Sequence, residues 1–266
     1  MNILQEIARH KRAEVQRRKA QYSVAELSQT AMFRKKSQPL SAALQRHPHF
    51  GIIAEIKKRS PTGGNYLTEY EPWQIGVMYE QAGASAVSVL TDEKYFSGSL
   101  DDLRSVRSRT ALPLLRKDFI LDEIQLYEAK AFGADAVLLI AALLDKHQLK
   151  DLHTAATALD LETLIELYES KEIDNIDFDL MKLIGINNRN LKSFETDLRH
   201  TQDIASLLPE DTVVVSESGI GSVSDLLVLR TAGIRSALIG ETFMKSSHPG
   251  EALRSLLDGY IHATQS

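Results

Sequence analysis

The fold is decided by residues 51–61, which read GIIAEIKKRSP. The stretch opens with nearly continuous apolar residues, as expected of a strand that is buried on both faces of a parallel sheet. Glu55 and Lys57 interrupt the pattern near its carboxyl end. An unpaired charge buried there costs on the order of several kcal/mol, which approaches the stability of a whole domain. We therefore interpret these charges as functional.

Five further apolar runs also end in polar or ionisable residues. They are LPLLRKDF (112–119), ETLIELY (162–168), KLIGINNRN (182–190), TVVVSESG (212–219) and SALIGE (236–241). The (β/α)8 barrel gathers the carboxyl ends of its strands around one mouth, where its active sites lie. The recurrence of charge at strand ends predicts an enzyme with this architecture.

The order of the elements supports an α/β fold. Strand-like runs begin near residues 51, 86, 112, 136, 162, 182, 212 and 236, and helical periodicity separates them. Gly83, Gly133 and Gly233 stand where glycines end helices. Strict alternation predicts a parallel sheet, and eight units favour a closed (β/α)8 TIM barrel over an open doubly wound sheet. The fifth helical segment, residues 171–180, is short and polar and is the weakest element.

Residues 1–48 are predicted to form an N-terminal helical extension on a barrel of residues 49–266, within a single domain. Helices are expected over residues 2–21 and 24–33. Ser23 and Glu26 have the spacing of a capping box at the start of the second helix. The apolar stripe of the first helix is modest, which favours packing over one end of the barrel rather than a partner-binding arm.

Composition narrows the function. The chain has 266 residues, a net charge of -5 and no cysteine. No basic patch suggests nucleic acid, and the absence of cysteine excludes disulfides and thiolate chemistry and suits a reducing compartment. The longest apolar run, residues 136–144, is far below the roughly 20 residues of a membrane helix. We expect a cytoplasmic protein without membrane or nucleic-acid partners.

Alternation along a strand places residues two apart on one face. It pairs Glu55 with Lys57 and Asn187 with Arg189, and it aligns Lys117 with its apolar neighbours in strand three. Arg116 and Asp118 then face the surrounding helices, where a structural ion pair is expected. Glu166 stands between two apolar residues of strand five. Each charge alone could equally be structural, but recurrence on several strands favours function.

The last two strands are followed by glycine-containing turns. They read SESGIG (216–221) and LIGE (238–241). Backbone N–H groups at such turns, with the following helix N-terminus, are typical of the phosphate cradle of these barrels, although a tight turn would also explain the glycines. No third glycine completes a dinucleotide motif, and residues 59–64 are not a Walker loop, which disfavours nucleotide cofactors.

The positions of the histidines argue against metal catalysis and against a serine nucleophile. The eight histidines all fall in predicted helices or loops, never at a strand end. The serines of the strand ends therefore lack a neighbouring histidine base. No metal site is predicted.

Seven motifs in order resemble the indole-3-glycerol-phosphate synthase family of tryptophan biosynthesis. They are IIAEIKKRSPTGG, VLTDEKYFSGSLDDL, LLRKDFI, LIEL, IGINNRNLKSFETDL, VSESGI and LIGETFM. The resemblance implies a carboxy-lyase that closes 1-(2-carboxyphenylamino)-1-deoxyribulose 5-phosphate to indole-3-glycerol phosphate with loss of carbon dioxide and water. It implies a small phosphorylated substrate and no cofactor.

The resemblance also implies catalytic roles. Lys117 would protonate or polarise the ketone, Glu166 would be the base and Lys57 the second lysine. Glu55 and Asn187 would orient these groups, and Glu55 is also a candidate base in the dehydration.

The implied substrate-binding residues fall into three groups. Ser60 and Arg189 would hold the anthranilate carboxylate, for which a guanidinium fork is well shaped. Phe119 and Leu191 would line the aromatic pocket. Glu241 stands where some members have serine, which puts one phosphate contact in doubt. The rest of the mouth, with its phosphate-binding turns, comprises Glu217, Ser218, Gly219, Leu238 and Gly240.

Two other functions are open to a barrel with these residues. Phosphoribosylanthranilate isomerase shares the barrel and a related substrate, but it needs a cysteine and aspartate acid–base pair. A non-catalytic barrel that binds a phosphorylated metabolite should have lost catalytic charges, whereas Lys57, Lys117 and Glu166 are all present. We expect a monomer with weak association, if any, with other tryptophan-pathway enzymes.

Overall fold

The computed structural model describes residues 3–61, 64–66, 71–190 and 195–265. Within these residues, eight parallel strands pair in chain order and close into a barrel. Strand β1 pairs with β8 to complete the closure. The strands are β1 Gly51–Ile56, β2 Ala86–Leu90, β3 Leu114–Lys117, β4 Ala136–Ile140, β5 Glu162–Leu167, β6 Leu183–Asn187, β7 Val213–Glu217 and β8 Ser236–Ile239. The predicted (β/α)8 TIM barrel is confirmed, and an open sheet is excluded.

Helices cover the outside of the barrel. The crossover from β5 to β6 is only a short 3-10 helix, Ser170–Asn175, in the segment predicted to be weakest. Gly83, Gly133 and Gly233 have positive φ at helix ends, as predicted. The α-helices are α1 Ile3–Gln21, α2 Val24–Ser28, α3 Leu40–Arg46, α4 Pro72–Ala82, α5 Glu93–Phe96, α6 Leu100–Arg107, α7 Glu123–Ala131, α8 Lys146–Ala158, α9 Arg199–Ala205, α10 Val223–Thr231, α11 Glu241–Met244 and α12 Pro249–Gln265.

The N-terminal helices differ from the prediction in two ways. The capping box of Ser23 and Glu26 is present, but α2 ends at Ser28 rather than near residue 33. The Thr30 hydroxyl donates to the Leu27 carbonyl, so a side-chain hydrogen bond replaces the helical pattern there. Helix α3 was not predicted. It is only seven residues long, which leaves little periodicity to detect.

The barrel interior is closed from both ends by these helices. Leu4 and Ile7 of α1 belong to the same buried cluster as Leu40 and Leu44 of α3 and the inward residues of the strands. Helix α3 packs under the amino-terminal end of β1, where a side chain at Gly51 would meet the Leu44 backbone at 2.9 Å. Helix α1 therefore lies at the opposite end, over the mouth.

Helix α1 is fastened to the barrel by buried charges that we name the outer ion cluster: Lys11, Asp92, Arg116, Asp118 and Glu128. Lys11 Nζ lies 2.8 Å from Asp92 and 2.9 Å from Asp118. Arg116 lies 3.0 Å from Asp118 and 3.2 Å from Glu128, which confirms the predicted outward ion pair. Burial alone would raise the pKa of Asp118, but Lys11 and Arg116 outweigh it and hold the pKa far below its usual range.

Candidate active site

The carboxyl ends of the strands surround a cavity of about 460 Å³. Every candidate site residue that the structure describes lines it, while Leu191 lies outside the described residues. The lining candidates are Glu55, Lys57, Ser60, Lys117, Phe119, Glu166, Asn187, Arg189, Glu217, Ser218, Gly219, Leu238, Gly240 and Glu241. Strand closure alone thus brings residues from across the chain to one site.

At the centre lies the inner ion cluster, defined as Lys117, Glu166 and Glu217. Lys117 Nζ lies 2.9 Å from Glu166 Oε2 and also contacts Glu217 Oε2. Asn187 Nδ2 donates to Glu166 Oε1 over 3.3 Å and so orients that carboxylate. With Glu55 of β1, the cluster comes from the odd-numbered strands, which supply one layer of side chains in such a barrel.

The two carboxyl groups of the inner ion cluster titrate differently. Burial, with a smaller addition from the nearby Glu166 charge, raises the pKa of Glu217 to about 8 against the opposing effect of Lys117. Burial also acts on Glu166, but the Lys117 ammonium outweighs it and lowers its pKa. The two carboxylates likewise outweigh burial and raise the pKa of Lys117. Near neutral pH the cluster therefore holds one ammonium, one carboxylate and one carboxylic acid.

Two glycines make room for carboxyl groups of this layer. A methyl group at Gly185, in the middle of β6, would overlap the Glu217 carboxylate. A methyl group at Gly240 would come within 2.9 Å of Glu55 Cβ. The sequence analysis did not single out Gly185, although a glycine inside a strand often marks a close approach. For Gly240, room for Glu55 is a use additional to the expected phosphate turn.

The end of β1 carries a second ion pair. Lys57 Nζ lies 3.1 Å from Glu55 Oε1 and 5.5 Å from the centre of the Tyr66 ring. The Tyr66 hydroxyl lies 3.1 Å from Ser60 Oγ. Tyr66 therefore contacts two candidate residues, yet it carried no signal in the sequence because it follows the strand by ten residues.

The turn after β7 has an unusual backbone. Ser218 and Gly219 have φ of 69° and 77°, so two successive residues are left-handed. Within the described part of the chain, no protein acceptor binds the N–H groups of Ser218, Gly219 and Ile220. Free N–H groups at such a turn provide donors for an anion.

Arg189 lies two residues beyond the end of β6 and lines the cavity together with Asn187. It forms an isolated bridge with Thr196, and its Nη2 lies 3.0 Å from Glu241 Oε2. Glu241 also binds Lys245 Nζ over 2.6 Å. The Glu241 carboxylate thus lies between two cations at the rim of the cavity.

Helix α1 completes the apolar side of the cavity, which the sequence analysis did not foresee. Ile3, Leu4 and Ile7 line it together with Phe96, and the Phe96 and Phe119 rings have centroids 6.2 Å apart. The signal was present, because Ile3 and Ile7 lie one turn apart on one helix face. Only tertiary structure shows which end of the barrel that face covers.

Two features are absent from the described residues. No group of three or more His, Asp or Glu side chains is arranged to hold a metal ion. No helix in the same part of the chain combines the length and apolar character required to cross a membrane.

Comparison with known proteins identifies relatives along nearly the whole chain. The family model of indole-3-glycerol phosphate synthase matches residues 4–256. The indole-3-glycerol phosphate synthase of Bacteroides thetaiotaomicron is 47% identical over 96% of this chain and 98% of its own length. That of Rhodopirellula baltica is 42% identical over 97% of this chain and 99% of its own length.

Solved structures of low identity share the fold. Tryptophan synthase subunit alpha from Legionella pneumophila superposes with a TM-score of 0.61 at 11% identity, covering 85% of this chain and 97% of that chain. KGPDC from Streptococcus mutans gives a TM-score of 0.60 at 13% identity, over 80% of this chain and 98% of that chain. At such identities the similarity concerns the barrel alone.

Proposed function

The chain belongs to the indole-3-glycerol phosphate synthase family, and we propose that its cavity converts 1-(2-carboxyphenylamino)-1-deoxyribulose 5-phosphate to indole-3-glycerol phosphate, carbon dioxide and water. The observation that carries the proposal is a buried lysine held between two carboxyl groups that line the same cavity. Such an arrangement can stabilise an oxyanion and move protons in the same place.

The reaction has two stages. In the first, the aromatic carbon that bears the carboxylate attacks the ketone carbon, and the ketone oxygen becomes a hydroxyl by taking up one proton. The bond to the carboxylate then breaks, carbon dioxide leaves, and its electron pair restores the aromatic ring. In the second stage the hydroxyl leaves as water with one added proton, while a base removes a proton from the neighbouring CH₂ group. The new double bond completes the indole.

Lys117 serves the first stage. Its raised pKa makes it an ammonium, which stabilises negative charge on the ketone oxygen and then donates the proton that this oxygen takes up. Glu217 is protonated near neutral pH, so Glu166 is the single ionised partner of Lys117 within the inner ion cluster. Part of the lysine charge therefore stays available to the substrate.

The second stage uses the residues around Lys117. Glu166 is ionised and oriented by Asn187, which suits a base that removes the CH₂ proton. Lys57 is the acid for the departing hydroxyl. Glu55, 3.1 Å from Lys57, orients it and is the alternative base. All of these side chains line the same cavity.

The remaining residues bind the two anionic groups and the ring. Arg189 and Ser60 take the anthranilate carboxylate, and Phe119 lines the aromatic pocket. Leu191, outside the described residues, stays a candidate for the same pocket from the family resemblance. The phosphate binds at the turns after β7 and β8. At the first turn, the N–H groups that bind no acceptor among the described residues support the placement. Ser218 and Gly219 lie in the first turn, Gly240 and the backbone of Glu241 form the second, and Leu238 lies in β8 beside it.

The chain further acts as a monomeric cytoplasmic enzyme without a cofactor, and residues 1–48 form an extension of the 49–266 barrel rather than a separate domain. The contacts of Leu4 and Ile7 with the barrel interior support the single domain, and the absence of cysteine from the sequence suits a reducing compartment.

The test is a fluorescence assay for the indole product with the purified chain and the carboxyphenylamino substrate, without added metal or nucleotide. We expect a rate of product formation that rises in proportion to enzyme concentration. The Lys117→Met variant provides the matched blank. Product formation that is absent, or equal in the two proteins, would contradict the proposed function.

A further inference from the structure

Asn188 follows the last residue of β6 and is 2% exposed. Its Nδ2 donates to Ser216 Oγ at 3.0 Å, to the Glu217 carbonyl at 3.0 Å and to the Ser218 carbonyl at 3.1 Å. Its Oδ1 accepts from the N–H and hydroxyl of Thr201 at 3.1 and 2.6 Å. Every polar atom of the side chain therefore has a partner, as a buried amide requires.

The carbonyls that it holds belong to the turn after β7. A left-handed residue other than glycine costs about 1–3 kcal/mol and persists only when its surroundings fix it. Ser218 is such a residue. The Glu217 carbonyl accepts from both the backbone N–H of Asn188, at 2.8 Å, and its side chain. Asn188 thus fixes the peptide groups on both sides of Ser218.

Asn188 does not itself line the cavity. The two sides of its amide group point to different neighbours: Nδ2 binds the turn, whereas Oδ1 binds Thr201 at the start of α9. A purely structural amide would affect stability through either side. An amide that shapes a binding site would affect ligand affinity through the Nδ2 side alone.

We propose that Asn188 is a positioning residue that holds Ser218 and Gly219 in the left-handed conformation that receives the substrate phosphate. The proposal rests on the proposed function for the identity of the ligand. It adds a residue that no candidate in the sequence analysis included and that acts through the turn without touching the substrate.

The experiment compares two variants of the full chain. Asn188→Asp keeps the shape and the Oδ1 acceptor but removes the Nδ2 donors. Thr201→Val, the matched control, removes a buried hydroxyl that contacts Asn188 Oδ1 and Ser216 Oγ. It leaves intact the bonds from Nδ2 to the Glu217 and Ser218 carbonyls. For each protein we measure the melting temperature, the inhibition constant of inorganic phosphate and KM for the substrate.

We expect the inhibition constant and KM of Asn188→Asp to rise together by about tenfold, the equivalent of about 1.4 kcal/mol. For Thr201→Val we expect both to stay within about twofold, at a comparable loss of melting temperature. Asn188→Ser, which is neutral, must reproduce the rise, so that it cannot be attributed to added negative charge. The serine variant also serves if the aspartate variant does not fold.

The outcomes separate the two proposals. Wild-type phosphate affinity in a destabilised Asn188 variant would show that the residue is only structural, while the proposed function stands. Equal losses of affinity in the Thr201 and Asn188 variants would also overturn the positioning role. A wild-type protein that forms indole product but is not inhibited by inorganic phosphate would show that this turn is not the phosphate site. That result would also overturn the positioning role of Asn188.

Discussion

Arg116, Lys117 and Asp118 follow one another in the chain but belong to two different ion clusters. Arg116 and Asp118 are part of the outer ion cluster, and Lys117 is part of the inner ion cluster. The outer ion cluster and the inner ion cluster are both buried, and each has a lysine bound by two carboxyl groups from other elements. In the outer cluster Arg116 supplies a second cation that shares Asp118, and the pKa of that carboxyl is lowered. In the inner cluster the pKa of Glu217 is raised to about 8.

The clusters differ in how many cations a central carboxyl group contacts and in what they face. Asp118 contacts two cations, whereas Glu217 shares its single lysine with Glu166. The outer cluster joins α1 to the barrel, and its fixed charges stabilise that contact. The inner cluster has two carboxyl groups for one lysine and opens onto the cavity. A buried ion pair is by itself weak evidence of function. A carboxyl group that shares one lysine with a second carboxyl group at a cavity is stronger evidence, because its protonation can change during a reaction.

The largest effect is expected from Lys117→Met. We predict a loss of turnover of at least about a thousandfold, because the lysine charge is worth most in the transition state. Substrate binding should stay within about tenfold. The melting temperature should fall by less than that of Lys11→Met, because water in the cavity can solvate the Glu166 carboxylate that loses its partner. Steady-state kinetics and a thermal melt check the prediction, and wild-type turnover would contradict it.

Lys11→Met should have the opposite profile. Removing one partner of a buried ion pair leaves uncompensated charge and costs about 3–5 kcal/mol of stability. We expect turnover well below the unfolding temperature to fall by less than about tenfold, because Lys11 does not line the cavity. Denaturant unfolding measures the loss.

Lys19→Met is the matched control on the same helix. Its ammonium binds Asp122 over 2.6 Å but is 44% exposed. Such exposed pairs contribute about 0–1 kcal/mol. Equal losses of stability in the Lys11 and Lys19 variants would show that the outer ion cluster does not anchor α1.

Glu166→Gln tests the base within the inner ion cluster. The amide keeps the size of the side chain but cannot accept a proton, so we predict at least about a hundredfold loss of turnover. Glu166→Gln also removes the ion pair with Lys117. The KM of Glu166→Gln should therefore be compared with the KM of Lys117→Met, in which the same ion pair is lost. Unchanged turnover would make Glu166 a structural residue.

The smallest effect concerns stability against pH. Folding raises the pKa of Glu217 from 4.5 to about 8, so in that interval the folded protein holds more protons than the unfolded chain. Stability contributed by this group is therefore lost as pH rises through the interval. Glu217→Gln cannot ionise, and its melting temperature should gain on wild type from pH 5 to pH 8 and then stay level. A constant difference between the two melts would contradict the raised pKa.

The sequence was sufficient for the features that depend on local pattern. Alternating strands and helices and the charges at strand ends predict the barrel and locate Lys117 and Glu166 at its mouth. Features that depend on closure of the barrel could not be predicted from the sequence. The contact of Glu217 with Lys117 joins residues a hundred positions apart, and the space that Gly185 leaves exists only when β6 lies beside β7. The position of α1 over the mouth likewise follows from Lys11 meeting Asp92 and Asp118.

The central claim, that Glu217 of the inner ion cluster keeps its proton near neutral pH, is tested most directly by its titration. Carbon-13 NMR of the side-chain carboxyl groups, with Glu217→Gln to assign the signal, gives its protonation as a function of pH. The account predicts a midpoint near the value of about 8 that burial produces. A Glu217 signal that titrates near 4.5, the ordinary value of a glutamate, would contradict it.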